Sequence, residues 1–141
     1  MSRVNTPVAA PEIAPPAAAY AHATLTEGEG IRWLHTSGVV PVAPDGSVPS
    51  SIGDQAARVW ANLAAIVADA SMELADAVSI TTYVVVDELG ALGEVMAARD
   101  AALAGHLAAS TLVTVPALAR REWKLEIALI AARATARPLT G

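Results

Sequence analysis

Few residues of this chain could do chemistry, and their types narrow what that chemistry is. There is no cysteine, which excludes thiolate nucleophiles, disulfides and thiolate metal sites. The three histidines are His22, His35 and His106. No two of them stand four apart, the spacing that puts two imidazoles on one helical face around zinc. Ser110 has no adjacent base in sequence, so a Ser/His/Asp triad has no footing, and Ser110 reads as a hydrogen-bonding wall residue. Glu126 lies inside an alternating apolar run, WKLEIALIAA. If buried there, its carboxyl would titrate above the usual range, as a proton donor or acceptor near neutrality must. Its plainer role would be an ion pair with Lys124 or with an arginine across an interface. Tyr20 carries a polar hydroxyl on an apolar ring, and His22 is the imidazole nearest to it. Arg120 and Arg121 stand just before the run that holds Glu126.

The bulk properties bound the setting. A chain of 141 residues is one domain by length. It is 54% hydrophobic, much of that alanine, and a small domain with this surplus is expected to hide some of it against other subunits. The net charge is −5 and no basic stripe is present, so nucleic acid is not an expected partner. No apolar run is long enough to span a bilayer, so no membrane association is expected, and the expected location is the cytoplasm.

The elements that must position these residues follow from periodicity and punctuation. Residues 1–19 are rich in alanine and proline and read as a flexible arm. The domain is expected over residues 20–132, with a frayed tail over 133–141. Residues 20–26 and 31–37 read as a hairpin around the turn 27–30. Residues 38–53 form a loop punctuated by Pro41, Pro44, Asp45-Gly46 and Pro49. Ser51-x-x-Asp54 is a helix-start signal. Ala56, Val59, Trp60, Leu63, Ile66, Val67 and Ala70 then mark one apolar face to about residue 71. Residues 78–86 are dense in β-branched side chains and read as a central strand. Asp87 is positioned to cap a second helix, with Leu89, Leu92, Val95, Met96, Arg99 and Leu103 on its face and Gly105 at its end. Residues 110–115 form a strand stopped by Pro116, and residues 123–132 form the last. In that strand Trp123, Leu125, Ile127 and Leu129 should meet the helices. Lys124, Glu126, Ala128 and Ile130 should face away. The order ββαβαββ gives an α+β sandwich with two helices on one face of a mixed sheet. The half-apolar far face is expected to meet another subunit.

In order along the chain, Tyr20-Ala21-His22-Ala23, Thr36-Ser37-Gly38, Asp45-Gly46, Gln55 with Asn62-Leu63, Asp76-Ala77-Val78, Ala109–Val113 and Lys124-Leu125-Glu126-Ile127 together resemble the RidA/YjgF family. The resemblance covers residues 20–132. It implies a chorismate-mutase-like fold and a homotrimer with three clefts between subunits. In the deaminating members those clefts hydrolyse enamines and imines. An arginine there holds the substrate carboxylate bidentately, a glutamate activates water, and a tyrosine, a Ser-Gly and an asparagine complete the wall. Tyr20, Ser37, Gly38 and Glu126 match this pattern. The arginine position is Ser110, the asparagine position is Met96, and Val39 follows Ser-Gly in place of glutamine. A serine supplies neither the charge nor the fork, so turnover of 2-imino acids should be impaired.

The resemblance and the residues together give a defined expectation. Glu126 and Tyr20 are the expected catalytic pair. Ser37, Gly38, Met96, Ser110, Thr111, Leu112 and His22 are the expected substrate-binding wall, with the backbone N–H groups of Thr111 and Leu112 facing a ligand oxygen. No metal and no organic cofactor are expected. The substrate would be a small, reactive, weakly charged organic intermediate of a specialised pathway, altered by hydrolysis, isomerisation, dehydration or cyclisation. Two alternatives stand beside this: an imine deaminase that uses Arg120 or Arg121, and a trimeric binding module without chemistry.

Overall fold

The structure, a computed structural model, describes residues 4–135. Its elements are β1 (Asn5–Val8), β2 (Ala23–Gly28), β3 (Ile31–Thr36), α1 (Ile52–Asp69), β4 (Ala77–Val85), α2 (Leu92–Leu103), β5 (Ala109–Val115) and β6 (Leu125–Ala134). The strands form one six-stranded sheet in the order β1-β2-β3-β6-β4-β5. Only β4 and β5 run parallel, because α2 carries the chain back between them as a crossover. Both helices cover one face.

Alternation in β6 fixes the two faces. Leu125, Ile127, Leu129 and Ala131 are buried, while Glu126, Ala128 and Ile130 are half-buried on the opposite side. α1 supplies the facing layer, with Ala56, Val59, Trp60, Leu63, Ile66 and Val67 all buried. Each such large apolar side chain contributes about 1.5–3 kcal/mol by leaving water. Ser51 caps α1, its Oγ accepting from the Asp54 N–H at 3.2 Å.

Four expectations are corrected. Residues 4–13 are not a loose arm: β1 pairs antiparallel with β2, and Val8, Ala10 and Ile13 are buried. Proline is admitted because β1 is an edge strand, where a missing N–H costs no ladder bond. The hairpin turn is Glu29-Gly30, both at positive φ, so β2 runs on to Gly28, paired with Ile31, and starts only at Ala23. Asp87 does not cap α2. A 3₁₀ segment, Val86–Ala91, comes first, and α2 begins at Leu92 with no side-chain cap. Gly90 and Gly93 weaken the turn that would have extended the helix. Finally, β6 takes Arg133 and Ala134 into the sheet beside β3. The rest of the tail, from residue 136, lies outside the described residues.

Candidate functional site

At the end of β3 the ladder breaks, and the break positions the first group of expected residues. His35 pairs with Ile130, and the next contact between these strands is Val39 with Ile127. Between them the Thr36 hydroxyl stands in for a backbone carbonyl, accepting from the Leu129 N–H at 2.9 Å. Ser37 donates its hydroxyl to the Ala21 carbonyl at 2.7 Å and its N–H to the His22 carbonyl at 2.8 Å. This fastens the Tyr20–His22 segment to the break. Gly38 leaves the room that Glu126 occupies: a Cβ built on it would overlap the Glu126 carboxylate, which would have to move. The Ser-Gly pair thus ties down the tyrosine segment with one residue and makes room for the glutamate with the next.

Glu126 lies on the sheet face away from the helices, opposite Tyr83 of β4. It is half-buried, makes no ion pair among the described residues, and burial pushes its carboxyl above the ordinary value of 4.5. Lys124, the partner considered from sequence, pairs with Glu88 instead, at 3.1 Å. A half-desolvated carboxyl without a cation holds its proton more tightly and can return it.

Beside Gly38 lies a cavity of about 400 Å³, within the range of small-molecule sites. Tyr20, His22, Gly38 and Val39 form part of its wall. Residues 13–17 form another, and Asn62, Arg120 and Trp123 a third. Two buried amides hold the loops in place. Asn62 donates to the carbonyls of Val40 and Val42 at 3.1 and 3.0 Å. Gln55 donates to the carbonyls of Pro49 and Glu122, both at 2.8 Å, and accepts from the Lys124 N–H at 2.8 Å. At the tip of the first loop Ser47 donates twice to Asp45, which lowers the Asp45 carboxyl from its ordinary value. His22 spends Nε2 on the Ala14 carbonyl at 2.9 Å, which serves to hold the segment that closes the cavity.

The remaining expected residues stand elsewhere in the chain. Ser110 and Leu112 pair with Ile80 and Thr82 of β4, both buried beneath the helices, so they share the helix-side face. Met96 is a half-buried residue of α2, packed against the core from that same side. Thr111 is on the far face with Thr81 and Ala128, but on the edge strand, with β4 between it and β6. Within one chain Tyr20, His22 and Gly38 line the cavity, Ser37 fastens their segment, and Glu126 reaches Gly38 without itself lining the cavity, while Met96, Ser110 and Leu112 lie on the other side of the sheet.

Sequence reasoning left out the wall of residues 13–17, assigned to the arm, and the placement of Arg120 and Trp123. The buried isoleucine in the proline-rich stretch, Ile13, was the available signal for the first. For the second, only the three-dimensional course of the loop before β6 separates Arg120, which lines the cavity, from Arg121, which does not. Among the described residues no group of histidines and carboxylates is assembled to hold a metal, and no helix is long and apolar enough to cross a membrane.

Comparison with known proteins adds the family. Residues 11–133 match the family described as endoribonuclease L-PSP. Among solved structures, the YjgF gene product of Escherichia coli is 28% identical with a TM-score of 0.79, over 91% of this chain and 98% of that one. Yeast Mmf1 is 26% identical with a TM-score of 0.78, over 90% of this chain and 97% of that one. YyfA of Yersinia pestis, a protein of the Rid family, is 23% identical with a TM-score of 0.78, over 90% and 98%, a likeness of fold. No curated protein matches in sequence.

Proposed function

The chain belongs to the endoribonuclease L-PSP family, also known as RidA/YjgF, and from that premise we propose that it is a small-molecule enzyme using Glu126 as general acid or base in a cleft between copies of itself. One observation carries the reading. The Glu126 carboxylate rests against Gly38, a wall residue of the cavity that also holds Tyr20, and burial raises its proton affinity. In hydrolysis of an imine the neutral carboxyl would protonate the departing nitrogen, and its carboxylate would take a proton from the attacking water. The Tyr20 hydroxyl would orient either species. The family description names an endoribonuclease. A chain of net charge −5 with nine lysines and arginines offers little for a phosphate backbone, which favours the small-molecule reading.

The division of the expected residues between the two sheet faces supports an inter-subunit cleft. Met96, Ser110 and Leu112 could complete the wall around Glu126 only from another copy. With Ser110 in place of the arginine, the bidentate hold on a 2-imino acid is lost, and the favoured substrate is a different reactive intermediate.

The test generates a panel of 2-imino acids with an oxidase and follows their decay. The wild type should accelerate decay weakly or not at all, and Ser110→Arg should raise the rate. Adding Glu126→Gln to Ser110→Arg should remove about 10²–10⁴-fold of that gain with the assembly intact. An unchanged rate in the double variant would exclude Glu126 from the chemistry.

A further inference from the structure

We infer that Tyr83 is a second catalytic residue beside Glu126, and that the pair enolises a flat, uncharged carbonyl compound. The Glu126 carboxylate takes a proton from the carbon next to the carbonyl, and the Tyr83 hydroxyl donates to the carbonyl oxygen. The inference deepens the proposed function and rests on its assignment of Glu126 as the acid or base.

The register of the sheet leads there. Tyr83 of β4 stands directly opposite Glu126 of β6, and alternation puts both, half-buried, on the face away from the helices. Side chains so paired have their Cβ atoms about 4.5–5.5 Å apart. The Glu126 carboxylate leans the other way, onto Gly38 just past β3, and β3 and β4 flank β6 on opposite sides. Carboxyl and phenol are therefore separated by one strand spacing or more, about 4.8 Å, too far to hydrogen-bond to each other directly. A carbonyl oxygen and the carbon beside it span such a gap. Tyr83 makes no side-chain hydrogen bond among the described residues, so its O–H is left to donate. The Tyr20 oxygen, by contrast, accepts from the Ala17 N–H at 3.4 Å, and Tyr20 lines a cavity that Glu126 does not.

The surroundings define the ligand. Next to Tyr83 in the same row is Val113 of β5, 39% exposed, and a phenol ring beside a valine offers a flat apolar floor to a planar body. Lys124, two residues before Glu126 on this face, is held by Glu88 at 3.1 Å. Among the described residues of this row no free cation answers a charged ligand, and Glu126 itself repels an anion, so a neutral carbonyl suits the site. Burial raises the proton affinity of the Glu126 carboxyl, which strengthens it as a base toward carbon. A phenol donor stabilises the negative charge that grows on oxygen. The step balances within the pair and the substrate. The C–H electron pair becomes the C=C bond of the enolate, and one C=O pair moves onto the oxygen. The proton rests on Glu126 until it returns to the same carbon, which restores the substrate, or to a conjugated one, which isomerises it.

Deuterium exchange reads the step directly. The full chain is incubated with 1-indanone in D₂O, and loss of the proton signal at the carbon beside the carbonyl is followed by NMR against buffer alone. The wild type should exchange this position faster than buffer. Tyr83→Phe, which keeps the ring and its packing, should cut the rate above buffer by about 10²–10³-fold, with unchanged thermal unfolding and assembly. Glu126→Gln should cut it by about 10²–10⁴-fold. Pyruvate, whose charge the row does not hold, should exchange at the buffer rate. A full rate in Tyr83→Phe with loss in Glu126→Gln would overturn the role of Tyr83 and keep Glu126 as the base. No acceleration by the wild type, or equal acceleration of pyruvate, would overturn enolisation of a neutral carbonyl, while the imine panel with Ser110→Arg judges Glu126 separately. Acceleration that survives Glu126→Gln would overturn both this inference and the reading on which it rests.

Discussion

Glu126 is a carboxylate set where water is partly withheld and no cation compensates, and that arrangement has a thermodynamic consequence. Its folded-state proton affinity is raised above the ordinary value of 4.5, so in the window just above that value the native chain binds more protons than the unfolded one. Stability then falls as pH rises through the window and levels off above it. Denaturant unfolding across a pH series should show wild type losing stability relative to Glu126→Gln in that direction. Gly38→Ala provides the control. Its methyl would displace the end of a flexible side chain, so overall stability should change by less than about 1 kcal/mol. The carboxylate would shift toward water, and the pH dependence should shrink. A Gly38→Ala curve identical to wild type would show that the glycine does not set the environment of Glu126. At this scale the sequence was informative about residue types and silent about neighbours. The alternation of β6 put Glu126 on the far face, yet its obvious partner, Lys124, turned out to belong to Glu88, since side-chain pairing across loops leaves no periodic trace.

At the scale of elements, the helices and inner strands could be read because burial imposes a period on them, 3.6 in α1 and 2 in β6. β1 could not, because its four residues, Asn5–Val8, carry a proline and are mostly exposed. α2 was read too long for a related reason. Val95 and Leu103 are its only buried residues, so its apolar face gave weak bounds. The loops of the cavity are organised by buried amides, and such a device shows in sequence only as a spacing, Gln55 and Asn62. Gln55→Leu keeps the volume and removes three hydrogen bonds, leaving the Pro49 and Glu122 carbonyls and the Lys124 N–H unpaired. At about 1–3 kcal/mol for a buried group left unsatisfied, with partial recovery by water, the expected loss is about 2–5 kcal/mol. Urea unfolding measures it directly. A loss under about 0.5 kcal/mol, the scale of a neutral surface change, would mean that the loops are held by something else.

At the scale of the whole molecule, two faces of one sheet have different fates. The helix side is closed within the chain except at β5, where Ser110 is exposed and Leu112 half-buried. The far side presents Trp33, Tyr83, Val113, Ala128 and Ile130 half-covered or exposed, and Val113 is 39% exposed. β5 leaves its outer edge without a strand partner among the described residues. A sheet edge and an apolar face left open together favour self-association, and the homotrimer implied by the family resemblance would cover both. The proposed site makes the same demand, because Ser110 and Glu126 lie on opposite faces and could share one substrate only across two copies. Assembly and catalysis should therefore fail together. Ile130 sits mid-strand on the far face, between His35 and Ser79. A lysine there can reach water in a single copy but would be buried without a counter-charge in an assembly. Sedimentation should find the wild type as a trimer and Ile130→Lys as a folded monomer. Activity on any substrate that the wild type turns over should be lost in the monomer, although Glu126, Tyr20 and Gly38 are all present in it. A monomeric variant that kept full activity would place the whole site within one chain, and Met96, Ser110 and Leu112 would then have no part in it.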